Sequence, residues 1–134
     1  MSRIVLDTSV AAAWLLGEEL DSAAQSALRT MRSEGAFVPS LWHYEIRNVL
    51  LVAERRGRIP EGGAGEGLNT LRNTSIETDS EADLDVAMEL ARGHRLSYYD
   101  ALYLELSRRR SLPLATRDTV LARAVLAEGL EVVA

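Results

Sequence analysis

Short apolar runs alternate with longer segments of helical periodicity along the chain, and this alternation restricts the fold more than any other feature. The first run, 4–6, is continuously apolar, which is typical of a strand buried on both faces. We predict strands at 4–6, 36–38, 75–78, 112–116 and 130–133. Strands that alternate with helices indicate an α/β domain, here with a mostly parallel sheet of four to five strands flanked by helices.

The helical segments have apolar residues at spacings of three and four, and several end at a glycine. Ser80 stands where a helix cap is expected, and Ser97 begins a further predicted helix. A glycine-rich stretch, 60–67, is weakly patterned, although Leu68 and Leu71 suggest that a helix includes or follows it. The predicted helices are 10–16, 20–31, 40–56, 81–92, 97–106 and 118–127.

The size and composition fit one domain. The chain has 134 residues, of which 47% are hydrophobic, and we treat 1–134 as a single domain. No stretch approaches the roughly 20 apolar residues that a membrane-spanning helix needs, and the beginning of the chain lacks the stages of a signal peptide. We therefore expect a cytoplasmic protein that does not bind a membrane.

The absence of two residue types excludes several kinds of site. Cysteine is absent, which excludes disulfides, thiolate metal sites and cysteine nucleophiles. All 15 basic residues are arginine, so a Walker-type phosphate loop and a lysine Schiff base are excluded as well. The net charge of -5 argues against nucleic-acid binding through a broad basic surface. It does not argue against a nuclease, because bound cations partly neutralise the acidic site of such an enzyme.

Four acids interrupt or end apolar segments, where an ionised carboxylate is costly unless something compensates it. Asp7 follows the first predicted strand, and Asp118 has the analogous place after the strand at 112–116. The carboxyl ends of strands are where ligands bind in open α/β sheets. Glu45 lies on the apolar side of its predicted helix, and Asp100 has apolar neighbours at both helical contact positions.

Each of these acids also has an ordinary structural explanation. Asp7 or Asp118 could cap a helix. Glu45 could pair with an arginine, and Asp100 could bond a tyrosine hydroxyl. Four carboxylates at converging strand ends would repel one another, however, and this repulsion favours either protonation or a divalent cation. Mg²⁺ accepts oxygen ligands and retains water, and Mn²⁺ would fit the same ligands.

Four longer stretches carry a resemblance to a known family. They are IVLDTSVAAAWLLGEE, PSLWHYEIRNVL, LSYYDALYLELSRRR and LATRDTVLARA, and they span nearly the whole chain in the family's order. The chain resembles the PIN-domain nucleases, in particular the VapC-type toxins of bacterial toxin–antitoxin systems. The resemblance implies a Rossmann-like three-layer domain with four acids around one or two Mg²⁺ or Mn²⁺ ions. Matched by position, these acids are Asp7, Glu45, Asp100 and Asp118.

The resemblance also implies a reaction, the hydrolysis of RNA phosphodiesters by metal-activated water, which leaves 5′-phosphate and 3′-hydroxyl ends. We expect Asp7 and Asp100 to be the primary metal ligands. Glu45 and Asp118 are then expected to bind a second ion or to orient water.

Further residues are expected to support the site. Ser9 and Thr116 match hydroxylated positions of the family and could orient water or a carboxylate, although helix capping explains them equally well. Asn48 lies one helical turn after Glu45, and Arg117, beside the last acid, is a candidate for substrate contact. Arginines at 55–58 and 108–110 could contact RNA phosphates, but a role at the helix end is favoured. The tyrosines are interpreted as packing residues: Tyr98, Tyr99 and Tyr103.

The family resemblance implies two protein partners, a second copy in a homodimer and a VapB-type antitoxin. The antitoxin tail is expected to cross an apolar groove and to reach the active site. Trp14, Leu15 and Leu16 could line part of this groove, although burial in the core is the simpler explanation.

Two other functions compete with the nuclease. The first is an RNA-binding or protein-binding regulatory module that keeps the fold without catalysis, and the complete set of four acids argues against it. The second is a phosphoryl-transfer domain, which resembles this chain in placing an aspartate after its first strand. Domains of that kind use a lysine, and their phosphatases carry a second aspartate where this chain has Ser9.

Overall fold

Four parallel strands form the centre of the protein in the computed structural model, which describes residues 3–134. They are β1 (Ile4–Leu6), β2 (Ala36–Pro39), β3 (Ile76–Asp79) and β4 (Leu114–Ala115). Their order across the sheet is β3, β2, β1, β4, and every neighbouring pair is parallel. The predicted α/β class with a parallel central sheet is therefore confirmed.

Seven helices flank the sheet within the described residues. They are α1 (Thr8–Leu15), α2 (Ser22–Glu34), α3 (Ser40–Arg55), α4 (Gly63–Arg72), α5 (Leu84–His94), α6 (Tyr98–Arg110) and α7 (Thr119–Ala127). None of the helices in this part of the chain is long and apolar enough to cross a membrane.

The apolar runs of β1 and β2 are continuous because both strands are buried throughout. Val5, Leu6 and Val38 are fully enclosed, and residues of α2, α3 and α6 complete the core around them. Gly35, directly before β2, has a φ of +90°, and a Cβ atom there would lie 2.8 Å from the Ser75 carbonyl oxygen. Only glycine meets both demands at this position.

The position of β1 creates a natural site for ligands. The chain passes from β1 to β2 on one side, whereas β4 pairs with β1 on the other side, so the strand order reverses between β1 and β4. Ligands of open α/β sheets bind at the carboxyl ends of the strands where the order reverses in this way. The Asp7 amide donates to the Ala115 carbonyl at 3.0 Å, which fixes the ends of these two strands beside each other.

The C-terminal end of α6 is anchored by an ion-pair network. Arg109 donates to both carboxylate oxygens of Asp79 at 2.8 Å and also bonds Glu105. Arg110 bonds Asp79 as well, and its guanidinium lies 3.9 Å from the centre of the Phe37 ring. The side chains of Asp79 and Glu105 are 1% and 2% exposed. This network joins α6 to the ends of β2 and β3, so it fixes the helix that carries Asp100.

Two predicted elements differ in extent or starting point from the structure, and the strand predicted at 112–116 is shortened to β4. The strand predicted at 130–133 is reduced to one parallel bridge, between Leu114 and Val132. The reason is that β4 has only two residues and offers little backbone for a further ladder. The helix predicted to begin after Ser80 begins at Leu84 instead, because the Asp79 carboxylate accepts from the Glu81 amide and Asp83 provides the cap. The glycine-rich stretch does contain the start of a helix, α4.

Candidate active site

Asp7 stands at the carboxyl end of β1, directly before α1, and is 7% exposed. It has the N-cap position of α1, but its side chain makes no capping bond. Its Oδ2 atom instead accepts hydrogen bonds from the Ser9 hydroxyl at 2.8 Å and the Thr116 hydroxyl at 2.7 Å. Two hydroxyls from opposite sides of the strand end therefore fix the orientation of this buried carboxylate.

The same two hydroxyls also connect β1 to the segment after β4. The Ser9 hydroxyl accepts from the Arg117 amide at 3.0 Å, and the Thr116 hydroxyl accepts from the Asp118 amide at 3.0 Å. Each hydroxyl thus uses its proton for Asp7 and a lone pair for the backbone. This arrangement places the Asp118 backbone close to Asp7.

Asp118 is exposed and caps α7. Its Oδ1 atom accepts from the backbone amides of Val120 at 2.8 Å and Leu121 at 3.0 Å. The capping role considered from the sequence is thus present in the structure. Because both amides bind Oδ1, Asp118 has a second oxygen that could serve a ligand.

Asp100 lies in the first turn of α6, whose N-terminus is capped by Ser97 through a 3.1 Å bond to the Asp100 amide. Burial raises the pKa of the Asp100 carboxyl, and the charges of Asp7 and Asp118 raise it further. The pKa of Asp7 is raised first by burial and then by the charge of Glu45, against the hydrogen bonds from Thr116, Ser9 and the Thr8 backbone. Charge effects thus link Glu45 to Asp7, and they link both Asp7 and Asp118 to Asp100.

Glu45, on α3, is held by two hydroxyls at one oxygen. The Thr8 hydroxyl donates to Oε1 at 3.1 Å, and the Tyr103 hydroxyl donates to the same atom at 2.5 Å. Tyr103 is fully buried, and burial, followed by its bond to Glu45, raises the pKa of the phenol well above its usual value. Thr8 and Tyr103 were not among the predicted site residues, and Tyr103 was interpreted as a packing residue. The available signal was that a buried tyrosine hydroxyl requires a partner, and Tyr103 lies one turn after Asp100.

None of the four acids has a cationic partner in the part of the chain that the structure describes. Within residues 3–134, no arginine or histidine lies within 4.0 Å of a carboxylate oxygen of Asp7, Glu45, Asp100 or Asp118. The buried acids Asp79 and Glu105 are, in contrast to Asp7, both paired with Arg109. Most buried carboxylates are compensated in the way that Asp79 is, so the uncompensated set indicates a place where a cation from outside could bind.

The other predicted site residues lie at varying distances from this set. Arg117 is exposed beside Asp118, and its guanidinium is 3.8 Å from Glu18. Asn48 is exposed and makes no hydrogen bond to the four acids among the described residues; it lines a cleft with Leu16, Val49 and the arginines that follow α3. The structure therefore places Ser9 and Thr116 in contact with Asp7, whereas Asn48 makes no such contact.

The structure shows which side chains contact two further arginines, Arg109 and Arg110, and the apolar patch that begins at Trp14. Arg109 and Arg110 are engaged with Asp79, so these two members of the 108–110 cluster are not free for phosphate contacts. Trp14 is half-buried against the core, and the Arg32 guanidinium lies 5.0 Å from the centre of its ring. Burial, the simpler explanation for this patch, accounts for most of its surface.

The PIN domain family model matches residues 4–125, which is nearly the whole chain and includes all four acids. The chain belongs to the PIN domain family. PIN domains are a family of nucleases, and this membership is consistent with the strand order and with the acids at the reversal point. No functionally characterised protein sequence matches the chain.

Solved structures share this PIN fold. PAE2754 from Pyrobaculum aerophilum is 25% identical, with a TM-score of 0.72 over 92% of this chain and 84% of its own. FitAcB from Neisseria gonorrhoeae is 17% identical, with a TM-score of 0.67 over 98% and 96% of the two chains. VapC20 from Mycobacterium tuberculosis, described as a toxin that cleaves the sarcin–ricin loop, is 18% identical, with a TM-score of 0.57 over 90% and 94%.

PIN domains generally use a divalent metal ion, and the donor set of this PIN domain suits a hard cation. Carboxylates and hydroxyls surround the strand ends, and softer ligands are excluded by the absence of cysteine. No three acids or histidines of residues 3–134 are gathered closely enough to enclose one ion. A cation here would therefore be held by one or two carboxylates, with water and substrate phosphate as the other ligands, which is the usual coordination of Mg²⁺.

Proposed function

We propose that this PIN domain is a metal-dependent endoribonuclease that acts as the toxin of a VapBC-type toxin–antitoxin pair. The observation that carries the proposal is the set of four carboxylates at the reversal point of the sheet, for which residues 3–134 provide no cationic side chain as partner. Membership of a nuclease family supplies the reaction class, hydrolysis of a phosphodiester.

The four acids differ in burial and in the number of carboxylate oxygens left free of hydrogen bonds, which suggests different roles. Asp7 is buried and oriented by two hydroxyls, and Asp100 has a raised pKa and no charged partner among the described residues, so these two are the primary ligands for Mg²⁺ or Mn²⁺. Asp118 offers one oxygen beyond its cap, and Glu45 offers the oxygen that its hydroxyl partners leave open. These two acids bind a second ion or orient water.

A divalent ion supplies Lewis acidity, which makes water a better nucleophile near neutral pH and neutralises charge on the phosphate. The protein positions the reaction. Ser9 and Thr116 hold the Asp7 carboxylate in one orientation and also hold the backbone that precedes Asp118. Preorganised ligands of this kind lower the cost of assembling the transition state. Hydrolysis leaves 5′-phosphate and 3′-hydroxyl ends.

RNA is the proposed substrate, and exposed arginines are proposed to bind it. Arg117 adjoins Asp118 and has only a distant interaction with Glu18, so it can contact a phosphate next to the scissile bond. The arginines of 55–58 are exposed and, among the described residues, have no acidic partner. Because the chain carries a net charge of -5, phosphate contacts are confined to such local groups. VapC20, which has the same fold, is described as a toxin that cleaves the sarcin–ricin loop.

The first experiment is cleavage of total cellular RNA with Mg²⁺, with a chelator, and by the Asp100→Ala variant, followed by mapping of the ends. Discrete cuts with 5′-phosphate ends that require Mg²⁺ and Asp100 are expected. Asp83→Ala is a matched control, because Asp83 is an exposed acid whose side chain caps α5. Cleavage that persists in the chelator or in Asp100→Ala would overturn the proposal.

The toxin role includes a VapB-type antitoxin and a homodimer in the cytoplasm. Expression of the wild type is expected to arrest bacterial growth, whereas Asp100→Ala is not. Coexpression of the product of a neighbouring gene is expected to restore growth and to yield a complex in which each partner dimerises. Growth arrest that is equally strong with Asp100→Ala would show that toxicity does not come from this site.

One observation favours the alternative, a PIN-fold binding module without catalysis. The acids of the described residues do not enclose one point tightly, as a permanently loaded metal site would. Such a module would bind RNA or a protein partner equally well with and without a chelator. The cleavage experiment therefore distinguishes the two functions directly.

A further inference from the structure

The Thr8 and Tyr103 hydroxyls and Oε1 of Glu45 form a triangle of polar atoms, within which the two hydroxyl protons supply two hydrogen bonds. The Tyr103 and Thr8 hydroxyls lie 2.8 Å apart, and each also contacts Oε1 of Glu45, at 2.5 Å and 3.1 Å. Tyr103 is fully enclosed and Thr8 is 6% exposed, so neither hydroxyl has water as an alternative partner. The triangle, defined here as Thr8, Tyr103 and Glu45, is a fixed part of the interior.

The triangle connects the three elements that carry Asp7, Glu45 and Asp100. Thr8 follows Asp7 at the junction of β1 and α1, and Tyr103 lies one helical turn after Asp100 on α6. Glu45 reaches the pair from α3. A displacement of any one element would lengthen two of the three short contacts in the triangle.

Both hydroxyls engage the same oxygen of Glu45, which leaves the second oxygen with a different role. None of the described residues donates a hydrogen bond to Oε2, and this atom is not among the buried polar atoms that lack a partner. It therefore remains accessible to solvent. One oxygen of Glu45 is fixed within the protein, and the other is available to a ligand.

We infer that Thr8 and Tyr103 are positioning residues, which hold Glu45 by Oε1 so that Oε2 is presented to the cation and water of the active site. The inference rests on the proposed nuclease function. Neither residue touches substrate in this account, and both act through Glu45. Loss of one such supporting hydrogen bond typically costs about 10-fold to 100-fold in metal affinity or activity.

The test compares Tyr103→Phe and Thr8→Val with the wild type, because both changes remove a hydroxyl and keep the shape of the side chain. Binding of Mn²⁺, followed by titration calorimetry, and cleavage rates are measured on the same preparations. We expect Tyr103→Phe to weaken Mn²⁺ binding or to lower kcat by about tenfold, with KM for RNA unchanged. Tyr44→Phe is the control, since Tyr44 adjoins Glu45 but is 73% exposed.

A double-mutant cycle with Glu45→Gln separates positioning from a general effect on stability. If Tyr103 acts through Glu45, Tyr103→Phe should change the Glu45→Gln protein by less than about twofold. An effect of the same size in both backgrounds would overturn the inference, as would Mn²⁺ binding and cleavage at wild-type levels in both single variants. A wild type that neither binds Mn²⁺ nor cleaves RNA would instead overturn the proposed function, and the inference with it.

Discussion

The Thr116 hydroxyl donates a 2.7 Å hydrogen bond to Oδ2 of Asp7 across 109 positions of the sequence. It joins the carboxyl ends of β1 and β4, the two strands between which the strand order reverses. The same hydroxyl accepts a hydrogen bond from the Asp118 amide, so Thr116 links the first acid of the site, Asp7, to the last, Asp118. Several predictions about charge and stability depend on this relationship.

Replacing Thr116 by valine should shift the pH dependence of cleavage. The hydrogen bond from Thr116 lowers the pKa of Asp7, so its removal raises that pKa further. If cleavage requires ionised Asp7, the acidic limb of the pH–rate profile moves to higher pH. Thr116→Ser retains the hydroxyl and should restore the wild-type profile. Coincident profiles for the valine variant and the wild type would show that this bond does not control Asp7.

Replacing Asp7 by asparagine should stabilise the metal-free protein while abolishing cleavage. Burial raises the pKa of Asp7 in the folded state, so ionisation of Asp7 destabilises the fold as pH rises above the unfolded pKa of about 3.9. Asparagine removes this charge and can still accept hydrogen bonds from the two hydroxyls. The free energy of unfolding, measured by urea denaturation at pH 7 in the presence of a chelator, should rise by about 1 kcal/mol. A marked loss of stability would mean that the charge of Asp7 is compensated within the fold.

Divalent ions should raise the melting temperature of the wild type, but not that of Asp7→Asn. A ligand that binds only the folded state at 100 times its dissociation constant stabilises it by about 2.7 kcal/mol. Thermal denaturation with increasing Mn²⁺ measures this effect, and Glu77→Gln, an exposed acid on β3, is the control. Equal shifts in the wild type and in Asp7→Asn would place the ion elsewhere.

The ion-pair network at the end of α6 should contribute to stability rather than to chemistry. Asp79→Ala removes one of the two carboxylate partners of Arg109, the other being Glu105. We expect the free energy of unfolding to fall by about 3 kcal/mol. Glu77→Ala removes an exposed ion pair on the same strand and should cost less than about 1 kcal/mol. The pKa of Asp79 is well below its usual value, mainly through Arg109, so this stabilisation is present above about pH 4 and is lost on acidification. Similar losses in both variants would contradict the network's role.

The sequence predicted the fold and the four acids because both produce local signals. Buried strands appear as continuous apolar runs, and an acid that ends such a run is conspicuous, as at Asp7. The triangle could not be predicted, because Thr8, Glu45 and Tyr103 are distant in sequence and meet only when three elements pack. Asp79 and Glu105 also interrupt apolar segments, and only the structure distinguishes these paired acids from the unpaired ones.

Element boundaries depended on contacts that the sequence does not reveal. The helix predicted after Ser80 was wrong by several residues, because Asp79 holds the chain in a turn that its ion pairs with α6 fix in place. The strand predicted at 130–133 has an apolar pattern, but its neighbour β4 is too short to pair with it along its length. Both differences therefore arise from contacts between residues that are distant in the sequence.

The most direct test of the account is single-turnover cleavage of RNA by the wild type, Asp7→Asn and Asp100→Asn at one Mg²⁺ concentration, with folding verified by circular dichroism. The amide variants keep the shape of each side chain and remove only its charge. The account predicts Mg²⁺-dependent cleavage by the wild type and a loss of at least about 100-fold in each variant. Cleavage by both folded variants within a few-fold of the wild-type rate would contradict it, because the carboxylates would then not carry the reaction.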